Sequence, residues 1–580
     1  MRKLWSSSFT LLALIVLVGL AFRFYGLTIG FPFEYHVDES FLVNKTLEMY
    51  QLGTFKPPTF DYPSFIYYLL LAGAYLIGLF KQTSLYDLYV VGRVLSALFG
   101  SATIVVVYAI GKRFENVSTG LLAAAFYACT VTALRESHYY TPDSANTFFI
   151  ALAVYFMLKV ALGGRVRNYL CAGVCIGLAA GSKYNGVYLV PTFCFAHLAR
   201  VTNNQSIWQP ARTDPPTFLK KLFSGWFVGA GVLSLLVFLL TTPYALITRA
   251  DFLKDLRKMS GALSYKIVEA NHHYIGTPPY WYYLANLLFW AMGPVLEVAC
   301  LLGFVYALVR HRRQDIVLAL WVAIYFYVVG GWINKAVRYT LPLLPFLAVF
   351  GAAMFVALYQ YCSRQGKQRM ALLVAALGAI TLASSFLYSL AYMNIYRQPH
   401  PSIAATRWAF ANIPDGSSIL LEGPTPHERP QLDGRQMIYP DSSFDPQPHH
   451  YRFVYLEVPR FIDKNKDPEP LRAELQNTLS GVDYIVMTTR WYEGLVNSPE
   501  ASAVIREYYQ SLASGSSDFE LIKEITVYPS LFGLNLKDDW AELNFRVFDH
   551  PKVWIFKRKA YPQLTQIAQI RNNETFQRER

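Results

Sequence analysis

Long apolar runs separated by short polar loops occupy the first two thirds of the chain, and a different, mixed pattern begins near residue 393. The first run, from Phe9 to about Ile29, follows Met1-Arg2-Lys3 and matches the roughly 20 residues that a hydrocarbon core demands. It reads as a retained span: it is long for a secretory signal, no small-residue cleavage site follows it, and many more apolar runs do. These lie at about 65–80, 88–110, 118–134, 144–162, 169–182, 186–200, 222–246, 280–309, 315–332, 340–361 and 371–392.

Charge decides which runs cross. The 65–80 run, FIYYLLLAGAYLIGLF, has 16 residues and reaches only roughly 24 Å, short of a core of about 30 Å. If it lies along the interface or dips in and returns, Lys112-Arg113, Arg165 with Arg167, Lys220-Lys221, Arg310 to Arg313 and Arg364 to Arg369 all fall on the side of the N-terminus. The excess of basic residues on the cytoplasmic side is then kept throughout. This gives about 11 transmembrane helices plus an interfacial helical segment, with the N-terminus cytoplasmic. Asp38, Asp143, the 183–185 turn, residues 247–280 and 333–339, and everything after 392 share the outer side.

In the tail, 393–580, apolar runs shorten and strand-like stretches (SSILLE, YRFVYLEV, DYIVMTT, VWIFK) alternate with helical ones. Arg407 to Gly416 reads as a helix and a turn leading into a strand. The expected division is therefore a polytopic α-helical membrane domain, 1–392, and an extracytoplasmic soluble α/β domain, 393–580.

Composition agrees: 54% hydrophobic, 16% aromatic and 16% charged residues are too apolar for a soluble chain of 580 residues. The net charge of +13 sits in loops between spans, as membrane topology requires, which excludes nucleic acid as a partner and leaves the lipid bilayer. The six cysteines lie in or beside apolar runs without metal-binding spacing, and the tail has none, so its stability needs a core of its own. Four N-x-S/T sequons, at Asn44, Asn116, Asn204 and Asn573, are too common by chance to identify the host.

The chemistry-bearing residues gather on the outer side. Asp38-Glu39, in HVDES, follows the first span, where a carboxylate meets both water and lipid headgroups; a solvated loop acid is the plainer reading. Asp143 opens an apolar segment after Pro142, which suits a helix-capping acid as well as a site. Lys183 interrupts two short apolar runs, and Arg338 has Lys335 one turn earlier; both patterns suit an anionic partner or a snorkelling anchor. Arg93 lies within a span, where it needs either a ligand or an ion-pair partner. His272-His273 stand among aromatics that would line an interface, and an adjacent pair alone makes no zinc site. Tyr62 and Tyr184 join them as candidate acceptor or sugar contacts.

An outward acid beside embedded cations suits a sugar carried on a polyprenyl phosphate. The phosphate leaves as a stabilised anion, so the site needs cations more than a second acid. Asp38 would take the proton of an acceptor hydroxyl as it attacks the anomeric carbon from the opposite face, inverting it. Lys183 and Arg338, with Lys335 and Arg93 as further candidates, would steady the departing phosphate. No cofactor is firmly implied, though Asp38, Glu39 and Asp143 leave room for a divalent cation with oxygen ligands.

The order of HVDES, YPSFIYYLL, VGRVLSALFGSATIVVVYAIGKRF, the RES to PDSA stretch, GLAAGSKYNG and VRYTLPLLPFLAVFG resembles the GT-C class of membrane glycosyltransferases over most of residues 1–392. It is similar to the protein O-mannosyltransferases and the lipid A aminoarabinose transferases (glycosyltransferase family 39-like). The resemblance implies a catalytic Asp38 with Glu39 beside it, Asp143 as the second outer acid, and lipid-phosphate contacts at Lys183 and Arg338. It also implies an interfacial second apolar segment and a soluble tail ending in FRVFDHPKVWIFKR. Where these transferases carry HPP or KPP, this chain has DYPS. The acceptor, whether lipid, protein or glycan, stays open, and the plasma (inner) membrane is the expected location.

Two other classes compete. A transporter of a solute or lipid-linked sugar should show paired repeats or corresponding broken spans in two halves, and neither is evident. A polymerase or ligase of lipid-linked glycans would place its cations in a large late outer loop.

Overall fold

The computed structural model describes residues 2–202, 221–264, 269–423, 429–434, 437–444 and 449–559. Asn204 and Asn573 lie outside the described residues. The chain forms two compact units: Met1–His400 with Met437–Pro440 and Tyr528–Asp549, and Pro401–Gln436 with Asp441–Val527 and His550–Arg580. Set beside the expected division at 392/393, the first unit runs on to His400 and takes in two later segments.

The first unit is helical. Among the described residues five helices are long and apolar enough to cross a membrane, including Leu85–Phe114, Pro142–Ala161, Arg313–Gly330 and Val337–Arg364. A sixth crossing counts if Tyr283–Met292 and Pro294–Arg310 are taken together, although they meet at 118°. The apolar run expected at 280–309 is thus broken. Gly293, at φ 79, takes a backbone conformation that a side chain disfavours, and Pro294 starts the next helix, where its missing N–H costs nothing. Shorter apolar helices, Ser8–Phe24, Ser64–Gly78, Val117–Ala128 and Gly225–Thr241, accompany them. Ser64–Gly78 has 15 residues, too few for a straight crossing.

Pro142–Ala161 packs against both Val166–Ser182 and Leu85–Phe114 and is buried along most of its length. Phe9, Leu17, Leu240, Leu372 and Ile380 are exposed on other helices of the unit. In a membrane that exposure is satisfied by lipid, while every helical backbone group bonds within its own helix.

The segments 437–440 and 528–549 are woven into this unit. Ile438 N donates to Pro32 O at 2.7 Å. Arg135, which is buried, donates through Nε to Asp549 Oδ2 at 2.6 Å, and Tyr396 OH donates to Asp549 Oδ1 at 2.7 Å.

The second unit is built on a five-stranded mixed sheet. Ser418–Glu422 pairs in parallel with Arg452–Leu456 and Tyr484–Thr488, and Val553–Arg558 runs antiparallel between Tyr484–Thr488 and Phe519–Ile525. Ile419, Leu421, Val486 and Ile555 form its core with Ala409 of the Pro401–Asn412 helix and Ile413 just after it. The four strand-like stretches of the sequence are all strands, and the fifth, FELIKEI, is an edge strand. It carries exposed Glu520, Lys523 and Glu524 and a register shift at Leu521/Lys523, both of which discourage further edge pairing.

Candidate active site

The candidate acids and cations come from helix ends and turns, apart from Arg93, which lies within the Leu85–Phe114 helix. The loop after the first span ends at His36, whose Nδ1 accepts from Glu39 N at 3.3 Å and caps the Val37–Gln51 helix. Asp38 and Glu39 lie in its first turn, where the helix N-terminus favours negative charge. Burial pushes the His36 imidazole down to about 3, so it caps as a neutral ring.

Because successive helical residues diverge by about 100°, the two carboxylates face different partners. Asp38 pairs with Arg338 and accepts from Tyr62 OH at 2.8 Å. Its side chain is about a fifth exposed. Burial alone would raise its carboxyl, but Arg338, His36, the Tyr62 hydroxyl and Lys183 together hold it down at about 2. Burial and the neighbouring Asp38 charge push the Tyr62 phenol well above its ordinary value, which keeps it a hydrogen-bond donor.

Glu39 turns inward and is fully buried. It receives Arg93 Nε at 2.8 Å, Arg93 Nη2 at 2.7 Å and the backbone N–H of Tyr140 at 2.9 Å. The remaining Arg93 nitrogen donates to Leu27 O at 2.6 Å and Ile29 O at 2.9 Å, and the guanidinium lies 4.5 Å from the Phe31 ring centre. Bidentate pairing with every strong donor engaged is what allows two such charges to be buried. Arg93, a candidate phosphate contact, is therefore occupied by Glu39, away from the Asp38 cluster.

Lys183 emerges where the Val166–Ser182 helix stops: its backbone is extended, and a tight turn, Tyr184–Tyr188, follows. Gly186 permits that reversal, since a Cβ there would lie 2.4 Å from backbone atoms of Ala179 and Ala180. The Lys183 ammonium reaches Asp143 Oδ1 at 2.7 Å and lies 5.1 Å from the centre of the Tyr339 ring. Pro142 does open the Pro142–Ala161 helix with Asp143 in its first turn, and the Asp143 carboxylate is spent on Lys183. Arg338 enters from the Val337–Leu343 turn and also approaches the Tyr339 ring, at 5.7 Å.

These groups border a cavity of about 280 Å³ lined by Tyr62, Lys183, Tyr184, Asn185, Arg338 and Tyr339, among others. Leu256 and Met259, on the Arg249–Ser264 helix, close one wall. That helix is tied down by Phe60 N donating to Asp255 at 3.0 Å and by an edge-on contact between Phe60 and Phe252. Asp38 stands one hydrogen bond behind the cavity wall, through Tyr62 and Arg338.

Other candidates go elsewhere. His273 Nε2 lies 3.4 Å from Glu542 Oε1, and Tyr274 OH bonds the same carboxylate, so the 272–274 stretch docks on the returning segment and does not line the cavity. His272 is half-buried beside them. Lys335 is buried, with its ammonium 5.7 Å and 5.9 Å from the rings of Tyr274 and Tyr282 and 3.4 Å from Ile333 O. Burial lowers its pKa. Among the described residues no group of three His, Cys, Asp or Glu is arranged to hold a metal ion. Asp38, Glu39 and Asp143 each answer to a different cation. Site residues unread in the sequence include Tyr339, Asn185, Leu256 and Met259. Tyr339 follows Arg338 and Asn185 stands two residues after Lys183, and that proximity was the available signal for those two.

Residues 64–211 match the family of dolichyl-phosphate-mannose-protein mannosyltransferases. Among curated proteins no sequence matches the chain. Among solved structures, the oligosaccharyltransferase of Archaeoglobus fulgidus in its apo form aligns with a TM-score of 0.50 at 13% identity, covering 95% of this chain and 88% of that one. The complex of archaeal AglB from the same organism with an inhibitory peptide and a dolichol-phosphate aligns at 0.50 and 13%, covering 88% and 72%. ArnT from Cupriavidus metallidurans, in the apo state, aligns at 0.49 and 13%, covering 94% and 97%. The chain is a multi-pass membrane protein with the GT-C glycosyltransferase fold, and over residues 64–211 it resembles the protein mannosyltransferases.

Proposed function

We propose that the protein is an inverting glycosyltransferase that moves a sugar from a polyprenyl-phosphate donor to an acceptor outside the cytoplasm. The observation that carries this reading is the cavity in which Lys183 and Arg338 converge while Asp38, the base, is bonded to two of its wall residues. The matched family's dolichyl-phosphate-mannose donor and the dolichol-phosphate bound to archaeal AglB support a lipid-linked phosphate as the ligand of those cations.

The donor phosphate occupies the cavity against Lys183 and Arg338, and Asp143 keeps the Lys183 ammonium aimed. Engaging Arg338 loosens its hold on Asp38. A carboxylate that binds a proton only near pH 2 beside a full positive charge then becomes a better base. The acceptor hydroxyl gives its proton to Asp38 as its oxygen bonds to the anomeric carbon. The bond from that carbon to the phosphate oxygen breaks, and its electron pair leaves with the polyprenyl phosphate. Tyr62 holds Asp38 in line throughout.

The topology that goes with this reading has about 11 spans, a cytoplasmic N-terminus, Ser64–Gly78 at the interface, and the sheet-bearing unit outside the plasma membrane. The role of Asp38 is tested by mass spectrometry of lipid extracts and surface glycans from cells carrying the unaltered protein or Asp38→Asn at equal expression. Accumulated polyprenyl-phosphate sugar with loss of one glycan is the expected result and identifies donor and acceptor together. Unchanged pools remove Asp38 as the base.

A further inference from the structure

The segment 528–549 contributes more to the first unit than buried ion pairs. At its start, Ser530–Leu531 and Leu534–Asn535 form a two-stranded hairpin whose turn is Phe532-Gly533. Both turn residues have positive φ, 51° and 82°. A two-residue turn of that kind selects Asn-Gly or Asp-Gly, because a residue with a Cβ and no local hydrogen bond is strained there. Here a phenylalanine takes the position and is 88% exposed, so no packing within the protein repays the strain. Leu534 is 72% exposed and Trp540 60%. In water a contiguous apolar tip of this kind invites association.

Its surroundings identify what covers it. Asn394 Nδ2, just past the end of the Gln368–Met393 helix, donates to Ser530 Oγ at 2.7 Å, which fixes the hairpin to the end of a span. Leu531 and Phe532 line a cavity of about 610 Å³ whose other walls include Phe22 and Tyr25 at the end of the first span and Leu390 of the later helix. Phe22 and Leu390 lie inside the ends of their helices, at Phe24 and Met393, so the hairpin tip reaches back past the point where the spans stop. Arg397, exposed, lines the same cavity. Apolar walls together with a cation match a phospholipid, acyl chains against Phe22 and Leu390 and phosphate against the guanidinium.

We propose that the Ser530–Asn535 hairpin is a monotopic membrane anchor, with Phe532 and Leu534 immersed in the leaflet on the Asp38 side and a phospholipid seated between the hairpin and the ends of the first and last spans. Trp540, amphipathic and exposed, sits at headgroup level, where tryptophan is enriched. The anchor stands whether or not the sugar-transfer reading does.

Nitroxide depth measurements on the full chain in nanodiscs of phosphatidylethanolamine and phosphatidylglycerol test it. Labels are placed at Phe532→Cys, Leu534→Cys and, as a solvent-facing reference, Ser514→Cys, and the unsubstituted protein is labelled in parallel to subtract the native cysteines. The expected result is a ratio of oxygen to nickel-chelate accessibility several-fold higher at 532 and 534 than at 514. A ratio equal to that at 514 overturns the anchor. Dipolar broadening between labels at 532 overturns it as well, because a second copy of the chain would then be covering the tip. Leu534→Cys lies outside the positive-φ turn, so the measurement survives if the 532 variant fails to fold.

Discussion

Arg338 closes on Asp38 from 300 residues along the chain, and Tyr62 donates to the other oxygen of the same carboxylate at 2.8 Å. The base of the proposed reaction is thus restrained on both oxygens before any substrate arrives.

Asp38→Asn keeps the shape of this arrangement and removes the proton acceptor. Transfer to the acceptor is expected to fall by about 10²- to 10⁴-fold, the usual contribution of a positioned base. Binding of the lipid-phosphate donor, measured by titration of the purified protein, is expected to persist, because Lys183 and Arg338 remain.

Tyr62→Phe removes a donor to the ionised carboxylate. The charged form loses support, the pKa of Asp38 rises from its depressed value, and the acid limb of the pH–rate profile moves to higher pH. A fall in rate of about tenfold at neutral pH accompanies it, in line with a hydrogen bond to a charged group worth roughly 1.5–3 kcal/mol. An acid limb that stays in place removes Tyr62 from the support of the base.

Asp38, Lys183, Arg338 and Asp143 were legible in the sequence because charges beside apolar runs are costly and so announce themselves. Which way each one turns was not. Glu39 differs from Asp38 by one residue and about 100° of helix, and that rotation delivers it to Arg93. Lys335, one turn from Arg338, is lost among Tyr274 and Tyr282 for the same kind of reason. His273 finds Glu542 across 269 residues, a meeting that no local pattern encodes. In the second unit the four buried or half-buried strands showed themselves as apolar stretches. FELIKEI did not, because its Leu521 and Ile522 are exposed and its alternation leads to no core.

Glu39→Gln leaves Arg93 buried without a counter-ion, and breaking such a pair costs about 3–5 kcal/mol. Thermal melting in detergent is expected to show a clear loss of stability, with activity falling in step with the folded fraction. A variant that melts like the unaltered protein would mean the pair adds nothing.

Glu422 gives the second unit a pH dependence. It is buried and accepts from Tyr508 OH at 2.8 Å and Tyr509 OH at 3.2 Å, and burial raises its carboxyl from 4.5 to about 7. Below about pH 4.5 the group is protonated folded or unfolded. As pH rises towards about 7 the unfolded chain releases its proton first, and stability falls by roughly 3 kcal/mol. Hydrogen exchange of the Ser418–Glu422 strand between pH 5 and pH 8, conditions chosen to bracket about 7, is expected to show weakening protection after correction for intrinsic rates. Glu422→Gln flattens the dependence.

Asp549→Asn takes one of two carboxylate partners from buried Arg135, leaving Glu136, and sets a neutral amide against the guanidinium. A loss of about 3–5 kcal/mol in the first unit is expected, read as earlier melting. Truncation after residue 395 removes Asp549 together with Glu542, and is expected to yield aggregated protein in place of an intact catalytic fragment.

The return of residues 528–549 into the first unit also sets an order of events during synthesis. All the candidate spans have been made by Met393, yet the buried guanidinium of Arg135 meets Asp549 only when most of the second unit's sequence has left the ribosome. Until then Arg135 has Glu136 but lacks its second carboxylate. Assembly of the helical unit therefore finishes only after most of the tail has been synthesised, and a chain stalled before residue 549 holds a bundle that lacks one of its own buried ion pairs.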